Sequence, residues 1–165
     1  MCTFFHATKR TFNIGDSFSV DMFDGDFTVD HSNRNDKEKE VNEQLDEGRP
    51  EGVLSRTKCI YLFGNLSHCQ HYAKSMRYEH IYEVHSDDVV NGPYPMVLVN
   101  TLYNSDPQIH DKIIQEYWNP TLEWKFNEFL ASSFYVDREM PIPRLVLNID
   151  FFTDQDLARN FIHLA

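Results

Sequence analysis

The sequence predicts one α+β domain, and three stretches carry that prediction. Residues 58–72 (Lys58-Cys59-Ile60-Tyr61-Leu62-Phe63-Gly64-Asn65-Leu66-Ser67-His68-Cys69-Gln70-His71-Tyr72) alternate as a strand up to Phe63. They then break at Gly64-Asn65 and continue as a helix that Asn65 and Ser67 can cap. Residues 106–117 place Ile109, Ile113, Ile114 and Tyr117 at helical spacing behind Asp106-Pro107, an N-cap with proline at the first helical position. Residues 123–131 alternate again as a strand. At 165 residues the chain has length for one real core and little room for a second.

Composition narrows the class. Hydrophobic residues make up 41% and aromatics 14%, enough to fold, yet no apolar run approaches the roughly 20 residues of a membrane span. The first residues lack a basic n-region followed by a long apolar stretch, so no secretory signal is expected and the cytoplasm is the default compartment. Cys2, Cys59 and Cys69 form neither an even set nor a C-x-x-C pair, against a disulfide framework or a structural zinc site. Net charge is −11. Residues 16–51 hold twelve acidic and four basic residues, so they carry −8 and the rest −3. That field opposes nucleic acid as a partner, because phosphate neutralisation dominates such binding.

Taken in order, residues 3–8 form the first strand, with His6 near its end as either a hydrogen-bonded structural residue or a functional one. Residues 18–27 read as extended or looping. Residues 35–47 read as an exposed helix with Val41 and Leu45 its apolar stripe, ended by Gly48, and most of the acidic 16–51 stretch reads as a solvated surface insertion. Arg56 directly precedes the central strand, where it suits either a pyrophosphate or a surface ion pair. Tyr61 and Tyr72 sit at the two ends of a strand–turn–helix corner that can aim both rings at one cleft, or bury both as core residues.

Further on, residues 80–85 alternate as a strand, 91–95 read as a turn-rich loop, and 96–103 are ambiguous. In the 123–131 strand Glu128 shares a face with Trp124 and Phe126. A carboxylate there carries a desolvation cost and needs a reason, functional or structural. Residues 144–152 read as a closing strand, and Thr153-Asp154-Gln155-Asp156 as the capped start of a last helix. A metal site from His68, Cys69 and His71 is disfavoured because adjacent helix positions face apart.

The order His6, Tyr61 with Tyr72, then Glu128 resembles the His-Tyr-Glu set of ADP-ribosyltransferases of the diphtheria-toxin and poly(ADP-ribose) polymerase type. Phe5-His6-Ala7-Thr8 resembles that family's apolar-His-Gly-Ser/Thr. Cys59-Ile60-Tyr61-Leu62-Phe63 with Tyr72 is similar to its Gly-Ile-Tyr-Phe-Ala and second tyrosine, and Phe126-Asn127-Glu128-Phe129-Leu130 to its Tyr-Asn-Glu-Tyr-Ile. Lys9 through Gly15-Asp16 is similar to the opening of small rifampin-modifying transferases, and the run from Glu47 through Ser55-Arg56 to Tyr61 to a bacterial family of uncharacterised proteins. The likeness covers most of the chain and is thinnest over residues 21–46 and after Met140.

The resemblance implies split antiparallel sheets with flanking helices and an NAD-dependent mono-ADP-ribosyltransferase, with His6, Tyr61 and Glu128 as the catalytic set. It implies that Tyr61 and Tyr72 sandwich the nicotinamide and that His6 holds a ribose hydroxyl, with Ala7 and Thr8 beside it and Arg56 near the phosphates. Glu128 would bind the ribose 2′-hydroxyl and stabilise the oxocarbenium-like transition state. Ala7 replaces the family's glycine, and Cys69 its carboxamide-binding serine, a weaker donor. The implied partners are NAD and a macromolecular acceptor, protein before RNA or DNA, with an antitoxin or inhibitor protein if the setting is a bacterial toxin or phage effector. No membrane partner is expected. The alternative is an inactive transferase-like module that recruits a partner through its acidic surface. RNA 2′-phosphotransferase chemistry is disfavoured, as its basic residues have no match. Glu128→Gln is expected to stop transfer and spare packing, unless Glu128 is paired with a buried cation.

Overall fold

A computed structural model describes residues 2–22, 34–87 and 89–163. In chain order its elements are β1 (Cys2–Thr8), β2 (Ser17–Ser19), a 3-10 turn (Val20–Met22), α1 (Asp36–Glu47), β3 (Ile60–Leu62), α2 (Leu66–Met76), β4 (His80–Ser86) and β5 (Val90–Pro95). There follow α3 (Val97–Tyr103), a 3-10 turn (Pro107–Ile109), α4 (His110–Trp118), β6 (Asn127–Ala131), β7 (Ser133–Met140) and α5 (Ile149–His163). The fold is α+β with two antiparallel sheets, ordered β1-β4-β7-β2 and β3-β6-β5. A bridge between Phe5 and Phe63, with backbone N–H···O distances of 2.8 and 2.9 Å, joins β1 to the end of β3.

Alternation along β3 divides the core. Ile60 and Leu62 pack with Phe4, Phe18, Val84 and Phe134. Tyr61 points the other way, into the larger core that α1, α3, α4 and α5 build over the second sheet around Leu45, Leu98, Tyr117 and Leu130. A third cluster seats α2 through Cys69, Tyr72 and Ala73 against Ala7, Phe63, Ile81 and Phe126. No described helix is long and apolar enough to cross a membrane.

Local chemistry explains why the elements stand where they do. Asn35 closes a capping box with Glu38 at the start of α1, whose Val41, Asn42 and Leu45 are buried. That inward face makes α1 an integral layer, whereas the sequence suggests a solvated insertion. The part of the residue 18–27 segment beyond Met22 lies outside the described residues. Asn65 caps α2 by accepting from the N–H groups of Ser67 and His68, as expected.

Five expectations need correction. Residues 90–95 form β5 rather than a loop, because Gly92, at φ +134°, absorbs the break in register between Asn91 and Tyr94. A β-carbon at Gly92 would stand 2.9 Å from Phe129 Cδ1 and 3.0 Å from the Glu128 carbonyl oxygen, so the strand beside Glu128 needs glycine there. Asp106 makes no capping hydrogen bond, and a 3-10 turn precedes α4. The regular strand covers only the end of the 123–131 run, from Asn127. Residues 141–148 are irregular and 149–152 already helical: Pro141 and Pro143 cannot donate to a ladder, and Asn148 Oδ1 accepts from the Phe151 N–H. Asp154 therefore caps nothing in its own helix. Its buried carboxylate accepts from the N–H groups of Lys125 and Phe126 instead, tying α5 to the segment before β6.

Candidate functional site

Glu128 sits on β6 two residues before Leu130, the partner of Tyr61 across the β3–β6 ladder, so Glu128 and Tyr61 project to the same side of the sheet. Between them lies Arg56, 1% exposed, delivered by the loop before β3. Asp46 of α1 fixes that loop, accepting from the Arg56 N–H at 2.7 Å and from the hydroxyls of Ser55 and Thr57. The Arg56 guanidinium donates to Glu128 Oε1, to the Tyr117 hydroxyl and, at 3.0 Å, to Asn42 Oδ1. Tyr117 donates to the same Oε1 at 2.8 Å. The Tyr61 hydroxyl donates to the Arg56 carbonyl, and the Arg56 Cζ lies 4.9 Å from the Tyr61 ring centroid.

This network is buried. Burial works against the Arg56 charge, but Glu128 and the surrounding tyrosine oxygens outweigh it and hold the guanidinium well above its ordinary value. Burial also pushes the Tyr61 and Tyr117 hydroxyls well above theirs, the Arg56 cation offsetting only part. Arg56 is thus not half of a surface ion pair, although it also borders the cavity described below. It is the buried counter-ion of Glu128, with both side chains nearly inaccessible. The expectation that Glu128→Gln spares packing falls with it, since the amide would leave Arg56 charged and unpaired.

Glu128 also lines a cavity of about 590 Å³. Val41 and Asn42 of α1, Tyr72 and Met76 of α2, Val99 and Tyr103 of α3 contribute to its walls, with Met96 and Phe151 adding apolar surface. Among the described residues, no hydrogen-bond donor reaches Glu128 Oε2, and the residue itself borders the cavity. Arg34, also in the wall, donates from Nη2 to the Tyr72 hydroxyl at 2.9 Å, and its Cζ lies 5.6 Å from the Tyr61 ring centroid. Tyr61 and Tyr72 therefore converge on one guanidinium. Tyr72 packs its ring on Phe63, with centroids 4.9 Å apart.

Not every residue of the expected set joins them. The His6 ring packs against Phe134, and its Nδ1 meets the Tyr61 carbonyl oxygen at 2.9 Å, which places the imidazole proton on Nδ1. It touches the backbone of Tyr61 and is not among the described residues lining the cavity. Ala7, Thr8 and Cys69 are buried and are not among the described residues lining the cavity, and burial raises the Cys69 thiol, lowering its reactivity. Sequence reasoning did not single out Asn42, Asp46 or Arg34. Asn42 and Asp46 follow Val41 and Leu45 by one position each on the inward side of α1, a legible signal. Arg34 carries none.

Neither a protein-family model nor a curated protein matches this chain.

Proposed function

We propose that the protein is an NAD-dependent mono-ADP-ribosyltransferase with the split-sheet fold of that class, its ligand site being the cavity bordered by Tyr72 and Glu128. One observation carries the reading: Tyr72 and Glu128, distant in the chain, line a cavity within the roughly 300–1,000 Å³ typical of ligand pockets, Tyr61 packs behind it against the wall residues Arg34 and Arg56, and no donor among the described residues reaches Glu128 Oε2. Two antiparallel sheets bridged at Phe5 and Phe63 agree with the fold half of the proposal.

In the reaction, the bond from ribose C1′ to the nicotinamide nitrogen breaks with its electron pair leaving on nitrogen. The acceptor's nucleophile forms the new bond to C1′ and gives its proton to Glu128 or to solvent. Oε2 accepts a hydrogen bond from the ribose hydroxyl, and the carboxylate's charge opposes the cation that develops on the sugar. The acidic balance of the chain favours a protein acceptor over RNA or DNA. A cytoplasmic toxin or phage effector held in check by an antitoxin or inhibitor protein is part of the same proposal.

A second reading, a transferase-like binding module without turnover, is favoured by the Arg56–Glu128 pair, which consumes the charge that catalysis needs, and by the position of His6. Incubation with labelled NAD and cell lysate separates the two. Transfer predicts free nicotinamide and label on a macromolecule, removed by protease. The absence of both products selects the module, and an absence of NAD binding overturns the transferase.

A further inference from the structure

Two guanidiniums lie against the Tyr61 ring, and they are held very differently. Arg56 is bound by Glu128, Tyr117 and Asn42. Arg34, one residue before the α1 cap, donates to the Tyr72 hydroxyl and lies against the Tyr61 ring, with Tyr78 and the Arg56 cation also near enough to act on its charge. None of the ion pairs among the described residues includes it, and its buried Nε finds no acceptor. Glu38, on the same cavity wall, turns its carboxylate to the Asn35 N–H. A planar cation on an aromatic face gains from the ring quadrupole, so Arg34 has a reason to sit there. The orphaned Nε means that the fit is incomplete.

We propose that Arg34 regulates the place that the transferase reading gives to the nicotinamide ring: it occupies the space between the Tyr61 ring and the Tyr72 hydroxyl as the chain's own competitor for a planar organic cation bearing an N–H donor. A pyridinium with a carboxamide has the matching features: a flat cationic ring for the Tyr61 face and an N–H for the Tyr72 oxygen. Exchange of Arg34 for such a ligand replaces one planar cation by another, so the site buries no additional charge. Arg56 cannot make that exchange without stranding Glu128. The proposal deepens the transferase reading and rests on it for the identity of the ligand, because oxidised NAD carries such a ring; Arg34 then regulates access.

The test titrates 1-methylnicotinamide, a planar cation, and neutral nicotinamide against wild type, Arg34→Ala and Arg34→Gln, with thermal melts confirming that each protein is folded. An occupant that keeps a site closed about nine-tenths of the time weakens apparent affinity about tenfold. Arg34→Ala should therefore bind 1-methylnicotinamide at least about tenfold more tightly than wild type and prefer it to nicotinamide, with Arg34→Gln intermediate. Equal affinity in wild type and Arg34→Ala, weaker binding in the variant, or no preference for the cation overturns the proposal. NAD turnover is followed in parallel. Turnover by wild type without any gain in Arg34→Ala removes the gate and keeps the transferase. Tighter cation binding by the variant, with no NAD use by either protein, keeps the site and removes the transferase.

Discussion

Glu128→Gln will destabilise the protein by about 3–5 kcal/mol, because it leaves the Arg56 guanidinium buried, charged and without its counter-ion. For a chain of this size that is a fall in melting temperature on the order of 10 °C. The amide keeps the volume and can still accept from Tyr117, so the loss is one of charge rather than shape. Arg56→Met combined with Glu128→Leu removes both charges at once and should recover most of the stability, as apolar replacement of whole buried pairs commonly does. Both proteins should lack transferase activity. Thermal melts and nicotinamide release on the single and double variants give the answer. An unshifted melt for Glu128→Gln contradicts the buried pair, and turnover by the stable double variant removes Glu128 from the chemistry.

Glu116→Ala is the second large effect. The Glu116 carboxylate, 5% exposed, accepts from the Thr121 N–H and hydroxyl at 2.7 and 2.8 Å, the Leu122 N–H at 2.9 Å and the Trp124 indole N–H at 3.1 Å. It organises the turn between α4 and β6. Losing these acceptors should cost about 2–3 kcal/mol, even though some donors can turn to water. Burial pushes this carboxyl up, but the four hydrogen bonds outweigh burial and hold it below its ordinary value of 4.5. A depressed folded value means that the stabilisation is complete above the unfolded value and is lost as pH falls through the folded one. Wild type should therefore lose stability on acidification below about pH 4.5, and Glu116→Ala should lose less over the same interval. Asp154 works in the opposite direction there, since burial raises its carboxyl despite the Lys125 and Phe126 N–H groups. Denaturant titrations at stepped pH on the Glu116 pair isolate one group. Parallel pH profiles for wild type and variant would contradict the assignment.

What the sequence made legible was local. Alternation alone turned Glu128 inward, and the Asn65 cap marked the strand–turn–helix corner that carries Tyr61 and Tyr72. Misleading stretches were those where local preference met a tertiary constraint. Asn91-Gly92-Pro93 has turn chemistry, yet pairing with β6 holds it in a strand. Residues 144–152 have strand chemistry, yet flanking prolines and the Asn148 cap divert them into an irregular segment and a helix. That segment leaves Leu145, Leu147 and Ile149 exposed. The Arg56–Glu128 pair was out of reach for another reason. Each residue was suspect alone, but only the register that sets Tyr61 opposite Leu130 brings them together. Arg34 lay inside an acidic run where composition argued for solvent.

The α1 helix brings Val41 and Asn42 to the cavity on one side and presents Asp36, Glu40, Glu43 and Glu47 to solvent on the other. Encounter with the cavity is therefore diffusion through a negative field. A dinucleotide bearing a pyrophosphate is slowed by that field, which reaches roughly 30 Å at 0.01 M salt and about 8 Å at 0.15 M. Stopped-flow association of an anionic nucleotide should accelerate as salt is added, while a monovalent cation such as 1-methylnicotinamide slows. Dissociation of either should change little, because the contacts that hold a bound ring lie in the interior, where dissolved salt screens them far less. Local ionic strength then sets how often the cavity is visited, and its walls decide what stays.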